Sequence, residues 1–226
     1  MYFIGDTHGI RPIFTIIDKH KIQNSNLIHV GDFGLGFQDI FRDVSNLQTL
    51  DEMLLDTNNK LYVIRGNHDN PIFWDKSKGL NLPKFHNLFL LEDYTLRKIE
   101  DKNILFIGGA ISIDRRPRMS DQPYPSWWED EVFKLDYNKL DIALYNKRVD
   151  IVVTHTAPDF CYPYNANGVP IVEEYHKIEH LHGKDLKQEL LEERKDLTEI
   201  YNEITIEHKE KITHWFYGHF HGSKSE

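Results

Sequence analysis

Six short apolar runs, rich in β-branched and aromatic residues, are spread along the chain and bounded by glycine or other turn-forming residues. Runs of this kind are typical of β-strands that are buried on both faces of a sheet. They cover residues 2–4, 27–30, 61–64, 104–107, 151–153 and 212–217. The pattern therefore predicts a strand at each of these places.

Between the apolar runs, hydrophobic residues recur at helical spacing. From Phe37 to Leu54 they follow the 3.6-residue period of a helix with one apolar stripe. Residues 130–146 and 185–205 show helical patterns as well, and Pro12 suits the first turn of a helix that follows the first strand. The alternation of strands and helices predicts an α/β fold. We expect a single domain over residues 1–226.

Five short clusters of Asp, His and Asn lie at the ends of predicted strands. They occupy residues 5–9, 31–32, 66–69, 155 and 218–221. In open α/β sheets, ligands bind at the carboxyl ends of the strands. Because strands of one sheet that end at the same edge bring their last residues together, we expect the clusters to form one site.

The side chains in these clusters are carboxylates, imidazoles and one amide. Residues two apart point to the same side of an extended chain, so Asp6 and His8 can reach one metal ion, as can His219 and His221. A donor set without thiolates suits manganese, iron or zinc. Two divalent cations that share carboxylates retain positive charge, which attracts a phosphate ester and acidifies a bridging water into hydroxide.

The order of the clusters resembles the calcineurin-like metallophosphoesterase family. The shared pattern is Asp-x-His, Gly-Asp, Gly-Asn-His-Asp, His and Gly-His-x-His, and it spans residues 5–221. The resemblance implies a four-layer α/β/β/α sandwich with two mixed sheets and a site for two divalent ions, manganese before iron or zinc. It also implies hydrolysis of a phosphate mono- or diester by a metal-bridging hydroxide.

The resemblance implies seven metal ligands, three for each ion and one shared. They are Asp6, His8 and His221 for one ion, Asn67, His155 and His219 for the other, and Asp32 as the bridge. His68 would protonate the leaving oxygen or stabilise charge on the phosphoryl group, with Asp69 orienting its ring. Arg65 resembles an arginine that clamps phosphate in phosphoprotein phosphatases. The alternative for Arg65 is a strand-end side chain that faces solvent.

The chain departs from the phosphoprotein phosphatases at the second cluster. Those enzymes have Gly-Asp-x-Val-Asp-Arg-Gly, whereas residues 31–37 are Gly-Asp-Phe-Gly-Leu-Gly-Phe. The difference favours a phosphorylated small molecule or nucleotide as substrate over a phosphoprotein, which stays as an alternative. A binding module of the same fold without activity is a further alternative. Such a module is expected to have lost ligand positions, and none is lost in this sequence.

Two other segments have more than one interpretation. Residues 108–116 and 127–129 resemble an insert of some bacterial and phage family members. There, Arg115, Arg116 and Arg118 would line a substrate entrance and the tryptophans would stack on a flat group, unless the insert is a solvated loop packed on the domain. Residues 176–180 match the His-x-x-Glu-His pattern of inverted zinc peptidases. That pattern is short, and too few residues follow it for the third ligand.

Composition narrows the classes of partner. The 27 Lys and Arg against 36 Asp and Glu give a net charge of −9. This argues against non-specific nucleic-acid binding, which depends on cations that neutralise phosphates. The single cysteine, Cys161, cannot form an internal disulfide. No leader-like segment or membrane-length apolar stretch is present. We therefore predict a cytoplasmic protein without a membrane partner.

Overall fold

A computed structural model of the protein describes residues 1–121, 126–163, 168–209 and 211–222. Within these residues, the strands form two four-stranded sheets. The first sheet consists of β1 (Tyr2–Ile4), β2 (Asn26–His29), β3 (Lys60–Val63) and β4 (Leu88–Leu90), which pair in parallel in that order. The second consists of β5 (Thr95–Ile99), β6 (Lys102–Ile107), β7 (Ile151–Thr154) and β8 (His214–Phe216). In the second sheet β5 runs antiparallel to β6, and the other pairs are parallel.

The described helices are α1 (Arg11–Lys19), α2 (Ile40–Asp56), α3 (Arg115–Met119), α4 (Tyr137–Leu144), α5 (Gly168–His180) and α6 (Leu186–Asn202). A π-helical turn at Glu203–Glu207 continues α6. Aspartate side chains accept hydrogen bonds from backbone N–H groups at the first turns of α2, α4 and α6; these are Asp39, Asp136 and Asp185. Such caps fix where a helix begins because they satisfy N–H groups that have no partner within the helix.

Three apolar clusters establish the order of the layers. One lies between the sheets and joins Ile28 and Tyr62 of the first to Phe106 and Val153 of the second. The rings of Phe3 and Phe216 stack across the same space with centroids 3.6 Å apart. The second cluster packs α1 and α2 on the outer face of the first sheet, and the third packs α4 and α6 on the second. The predicted four-layer α/β/β/α sandwich is confirmed. Of the two sheets predicted to be mixed, only the second is, since all described pairs of the first are parallel.

All six predicted strands are present, but β4 and β5 were not predicted. Both are edge strands, so they are flanked by a hydrogen-bonded neighbour on one side only. β5 also contains Arg97 and Lys98, which break the apolar pattern. The guanidinium of Arg97 lies 4.4 Å from the ring centroid of Phe89 and 5.1 Å from that of Tyr62. A cation can stack on aromatic faces in this way, and sequence periodicity does not reveal it.

The positions of the predicted helices are confirmed, but their predicted lengths are wrong. The helix predicted from Phe37 begins only at Ile40, because Asp39 caps it. The helix predicted at 130–146 is limited to α4, and the residues before it form a loop that contacts Arg65. The long charged helix at 185–205 is α6, whereas α5 was not predicted. In the described part of the chain, no helix has both the length and the apolar character required to cross a bilayer.

Candidate metal centre

The strand ends bring the five polar clusters together. Backbone hydrogen bonds join neighbouring clusters: His8 N donates to Asp32 O at 2.9 Å, and Gly218 N donates to His155 O at 3.0 Å. The parallel pairing of β1 with β2 and of β7 with β8 places these segments side by side. The expected single site at the strand ends is present, but its clusters follow strands of both sheets and not of one sheet.

Asp32 lies at the centre of the site and belongs to two groups of metal-ligating side chains. One group is Asp32, His155 and His219, and the other is Asp32, His8 and His221. In each group one ligand atom per residue lies within 4.8 Å of the others. Asp32 Oδ1 is 3.1 Å from His155 Nε2, and Asp32 Oδ2 is 3.8 Å from His8 Nε2. The two oxygens of one carboxylate thus face different groups, an arrangement that allows Asp32 to bridge two ions.

Asn67 and Asp6 complete the arrangement. Asn67 Oδ1 lies 3.0 Å from His155 Nε2 and 2.9 Å from His219 Nδ1. Asp6 Oδ2 lies 3.8 Å from His221 Nε2, while Asp6 Oδ1 is buried and accepts no hydrogen bond from the described residues. Buried oxygens without a donor are costly unless a cation compensates them. The seven side chains therefore fit two divalent ions.

Hydrogen bonds behind the site orient two of these ligands. His155 Nδ1 donates to the Val30 carbonyl at 2.8 Å, so Nε2 is the ring atom that faces the other ligands. Asn67 Nδ2 donates to Ser112 Oγ at 2.9 Å, which turns Oδ1 into the site. Outer partners of this kind fix the tautomer and ring orientation of metal ligands. The spacing of the clusters gives no indication of Ser112.

The charge of Asp32 controls ionisation in the site. Burial opposes the ionisation of Asp32, but His155 outweighs it and holds the pKa of this carboxyl well below its usual range. Burial likewise opposes protonation of His155, yet the charge of Asp32 and its hydrogen bond raise the pKa of His155 to about 9. Burial lowers the pKa of His219 to about 3, so its ring is neutral near pH 7. Positive charge is therefore favoured beside Asp32, and a metal ion would also supply it.

Strained backbone accompanies the ligands. Five of the seven predicted ligands have positive φ angles between 44° and 70°: Asp6, His8, Asp32, His219 and His221. Such conformations cost on the order of 1–3 kcal/mol each and persist where the surrounding structure imposes them. Two glycines permit the close approach of the segments, since a Cβ on Gly31 would overlap the His155 ring and one on Gly66 would overlap Asp32.

His68 lies beside the two groups with its ring toward the open side of the site. Its ring meets that of His8 edge-on with centroids 5.0 Å apart and stacks on Phe37 at 5.9 Å. Its backbone N–H donates to Asp32 Oδ1 at 2.7 Å. Burial lowers the pKa of His68 to about 4, although Asp32 and Asp114 oppose this. The ring is therefore neutral near pH 7 and has a single N–H to donate.

Asp69 does not orient the His68 ring, so that interpretation was wrong. Its carboxylate accepts hydrogen bonds from four backbone N–H groups, those of Gly66, Phe33, Gly34 and Leu35. Burial raises the pKa of Asp69 to about 7 even though these N–H groups favour the ionised form. Asp69 thus joins the loops after β2 and β3. The carboxylate near the His68 ring is Asp114, whose Oδ2 lies 3.9 Å from Nε2.

Arg65 is not a phosphate clamp in this structure, and it does not face solvent either. The side chain is buried, and its guanidinium donates to Asp93 through Nε at 3.1 Å and Nη2 at 2.6 Å. The remaining N–H groups donate to the carbonyls of Asp130, Glu131 and Val132. A guanidinium has five N–H donors, and all five are used. Arg65 holds the 130–132 loop and has no donor left for phosphate.

Replacing Arg65 by alanine is therefore expected to change stability and leave substrate affinity almost unchanged. The variant removes a buried ion pair and leaves three carbonyls without their donor, which should lower the free energy of unfolding by about 2–4 kcal/mol. Urea unfolding and the KM for a phosphate ester measure the two effects. Arg42→Ala, an exposed position on α2, is the control. A KM raised tenfold or more with unchanged stability would support the phosphate clamp instead.

The arginines of the insert are also bound by protein groups. Arg118 is buried and donates to the Asn67 carbonyl at 2.9 Å and to Glu131. Arg115 and Arg116 bind Glu179 of α5, whose side chain is fully buried. The prediction that these arginines line a substrate entrance was wrong. Trp128 meets Phe37 edge-on with centroids 5.5 Å apart, which agrees with the alternative of a loop packed on the domain.

Glu179 belongs to the His-x-x-Glu-His segment of α5, together with His176 and His180. The rings of the two histidines lie 6.1 Å apart between centroids. Because the carboxylate of Glu179 is bound by Arg115 and Arg116, it is not available as the general base of a zinc peptidase. The geometry gives no support to a peptidase site at this place.

A cavity of about 470 Å³ opens beside the two ligand groups. Its polar wall contains Asp32, Asn67, His68, Asp114, His219 and His221. Much of the apolar lining comes from α5 and α6, and sequence reasoning did not connect either helix with the site. Sequence spacing could not have done so, since α5 is placed by the ion pairs of Glu179 with the insert.

Comparison with known proteins agrees with this geometry. A family model described as calcineurin-like phosphoesterase matches residues 1–223. A comparison with curated proteins gives no match.

Proposed function

Because the chain belongs to the calcineurin-like phosphoesterase family, we propose that it hydrolyses a phosphate mono- or diester at a site for two divalent ions. The observation that carries this proposal is the position of Asp32, whose two oxygens face two separate groups of ligands. The mixed oxygen and imidazole donors favour manganese, with iron or zinc as alternatives.

Bound ions would supply positive charge that polarises the phosphoryl group and acidifies water. The chain's own residues provide the remaining functions. Asp32 and Asp6 contribute negative charge that balances the ions, and the Val30 carbonyl holds His155 in the tautomer with Nε2 toward the site. His68, the polar ring on the open side, donates its N–H to a phosphoryl or leaving oxygen.

The proposed substrate is a phosphorylated small molecule. A phosphoprotein substrate has less support than a small molecule. Residues 31–37 lack the Asp-Arg-Gly element of phosphoprotein phosphatases, and Arg65 has no free donor for phosphate. A binding module without activity would keep the fold but would not require His68 beside a complete ligand set.

The test is a manganese titration of chelator-treated protein, with metal content and turnover measured together. We expect two ions per chain and metal-dependent hydrolysis of p-nitrophenyl phosphate or its bis-ester, while the chelator-treated protein is inactive. Two bound ions without turnover of either ester would favour the binding module. Turnover that does not depend on metal would contradict the proposed site.

A further inference from the structure

The cavity beside the ligand groups has an apolar side that the proposed chemistry does not use. This side, which we call the apolar wall, consists of Ile113, Ile171, Val172, Tyr175, Leu190 and Phe220. Three of these residues lie on α5, one on α6 and two on loops next to Asp114 and His219. A ligand whose phosphate lies at the two ligand groups would therefore extend along apolar side chains.

The described lining of the cavity contains no Lys or Arg side chain that could bind a second anionic group of a ligand. Among these lining residues, Asp114 contributes negative charge. The nearby arginines are bound elsewhere, Arg115 and Arg116 by Glu179 and Arg118 by Glu131. An anion removed from water without a partner is strongly disfavoured. A polyphosphate or a carboxylate-bearing group is therefore a poor occupant of this space.

The apolar wall is fixed in place by ion pairs around the buried Glu179. Arg115 Nη2 donates to Glu179 Oε2 at 2.8 Å, and Arg115 Nη1 lies 2.7 Å from Glu189 Oε2 of α6. These contacts tie α5 to α3 and α6. Ile171 is nevertheless 46% exposed, so an apolar ligand would remove its side chain from water.

We propose that the apolar wall binds the organic group of the ester, and that this group is uncharged and apolar. The proposal rests on the proposed function and narrows its substrate to aryl or alkyl phosphates rather than nucleotides. In the reaction, a water oxygen bonds to phosphorus and the bond from phosphorus to the ester oxygen breaks. A proton goes to that oxygen, so an apolar alcohol or phenol leaves together with a phosphate.

Three substrates test the proposal in the manganese-loaded protein. Phenyl and 4-carboxyphenyl phosphate have rings of the same size and differ in charge, while methyl phosphate has almost no organic group. We expect kcat/KM for phenyl phosphate to exceed that for 4-carboxyphenyl phosphate by about tenfold or more. Binding of the matching phenylphosphonates, measured by calorimetry, should show the same preference without turnover.

A charge introduced on the wall should largely remove the preference for phenyl phosphate. Because the Ile171 side chain is about half exposed, the fold should tolerate the substitution Ile171→Lys. We expect this variant to raise the ratio of kcat/KM for 4-carboxyphenyl phosphate to that for phenyl phosphate by about tenfold. Val169→Lys is the matched control, since Val169 is an exposed residue of α5 that does not line the cavity.

The outcomes separate the two proposals. If methyl or p-nitrophenyl phosphate is hydrolysed but the ring charge has no effect in the parent or in Ile171→Lys, the apolar wall is not the substrate site and only this inference fails. Preference for 4-carboxyphenyl phosphate or a nucleoside triphosphate in the parent would also overturn it. If no ester is hydrolysed and the phosphonates bind without preference, both proposals fail.

Discussion

Replacing Asp32 by asparagine is expected to lower kcat/KM by at least about 10³-fold, because metal ions in such sites contribute several kcal/mol to transition-state stabilisation. Both oxygens of Asp32 face ligand groups, and its charge is the chief cause of the raised pKa of His155. Asparagine keeps the shape of the side chain and an oxygen that can accept the N–H of His68. It also tolerates the positive φ of 55° at this position. The fold should therefore survive while the site loses its shared charge.

Metal content and unfolding should be measured together with activity for this variant. We expect Asp32→Asn to bind fewer than two manganese ions at concentrations that saturate the parent and to remain folded in the absence of metal. Asp18→Asn makes the same chemical change at an exposed site on α1 and should behave like the parent. Two tightly bound ions and near-parental turnover in Asp32→Asn would show that Asp32 does not bridge.

Replacing His68 by alanine is expected to lower kcat by about 10²–10⁴-fold while two metal ions stay bound, as for a residue that assists proton transfer or charge stabilisation. The ring contacts His8 and Phe37 but is not one of the grouped ligands. The hydrogen bond from the backbone N–H of residue 68 to Asp32 does not depend on the side chain. The loss should therefore appear in turnover and not in metal affinity.

A second substitution distinguishes the functions open to His68. Because burial lowers the pKa of His68 to about 4, the ring of the unliganded protein is neutral near pH 7. If the ring acts by donating its N–H, His68→Gln should recover part of the activity that alanine loses. His182→Ala, at an exposed histidine after α5, is the control. Loss of bound metal in His68→Ala would assign His68 a structural role.

Two of the four edge strands, β4 and β5, were not predicted from the sequence pattern. The central strands were predicted because burial on both faces demands uninterrupted apolar runs, as in β3 and β7. The edge strands β4 and β5 do not need an uninterrupted apolar run. β5 accommodates Arg97 because the guanidinium packs on two aromatic rings. That contact joins residues far apart in the chain, so the local pattern could not reveal it.

By itself, the sequence determined the α/β class, six of the eight described strands and the position of five polar clusters at strand ends, since these follow from local periodicity. The clusters follow strands of both sheets, so only the packing of the two sheets brings them into one site. Only the tertiary structure decided what Arg65, Asp69 and Asp114 do. The donors of Arg65 are taken up by the Asp93 carboxylate and by carbonyls of the 130–132 loop, and Asp69 accepts from backbone N–H groups. Asp114 instead lies near the His68 ring. Only the tertiary structure shows the apolar wall as well, because ion pairs of the buried Glu179 with a separate segment place α5 beside the site. A side chain's role depends on which partners reach it, and those partners come from distant parts of the chain.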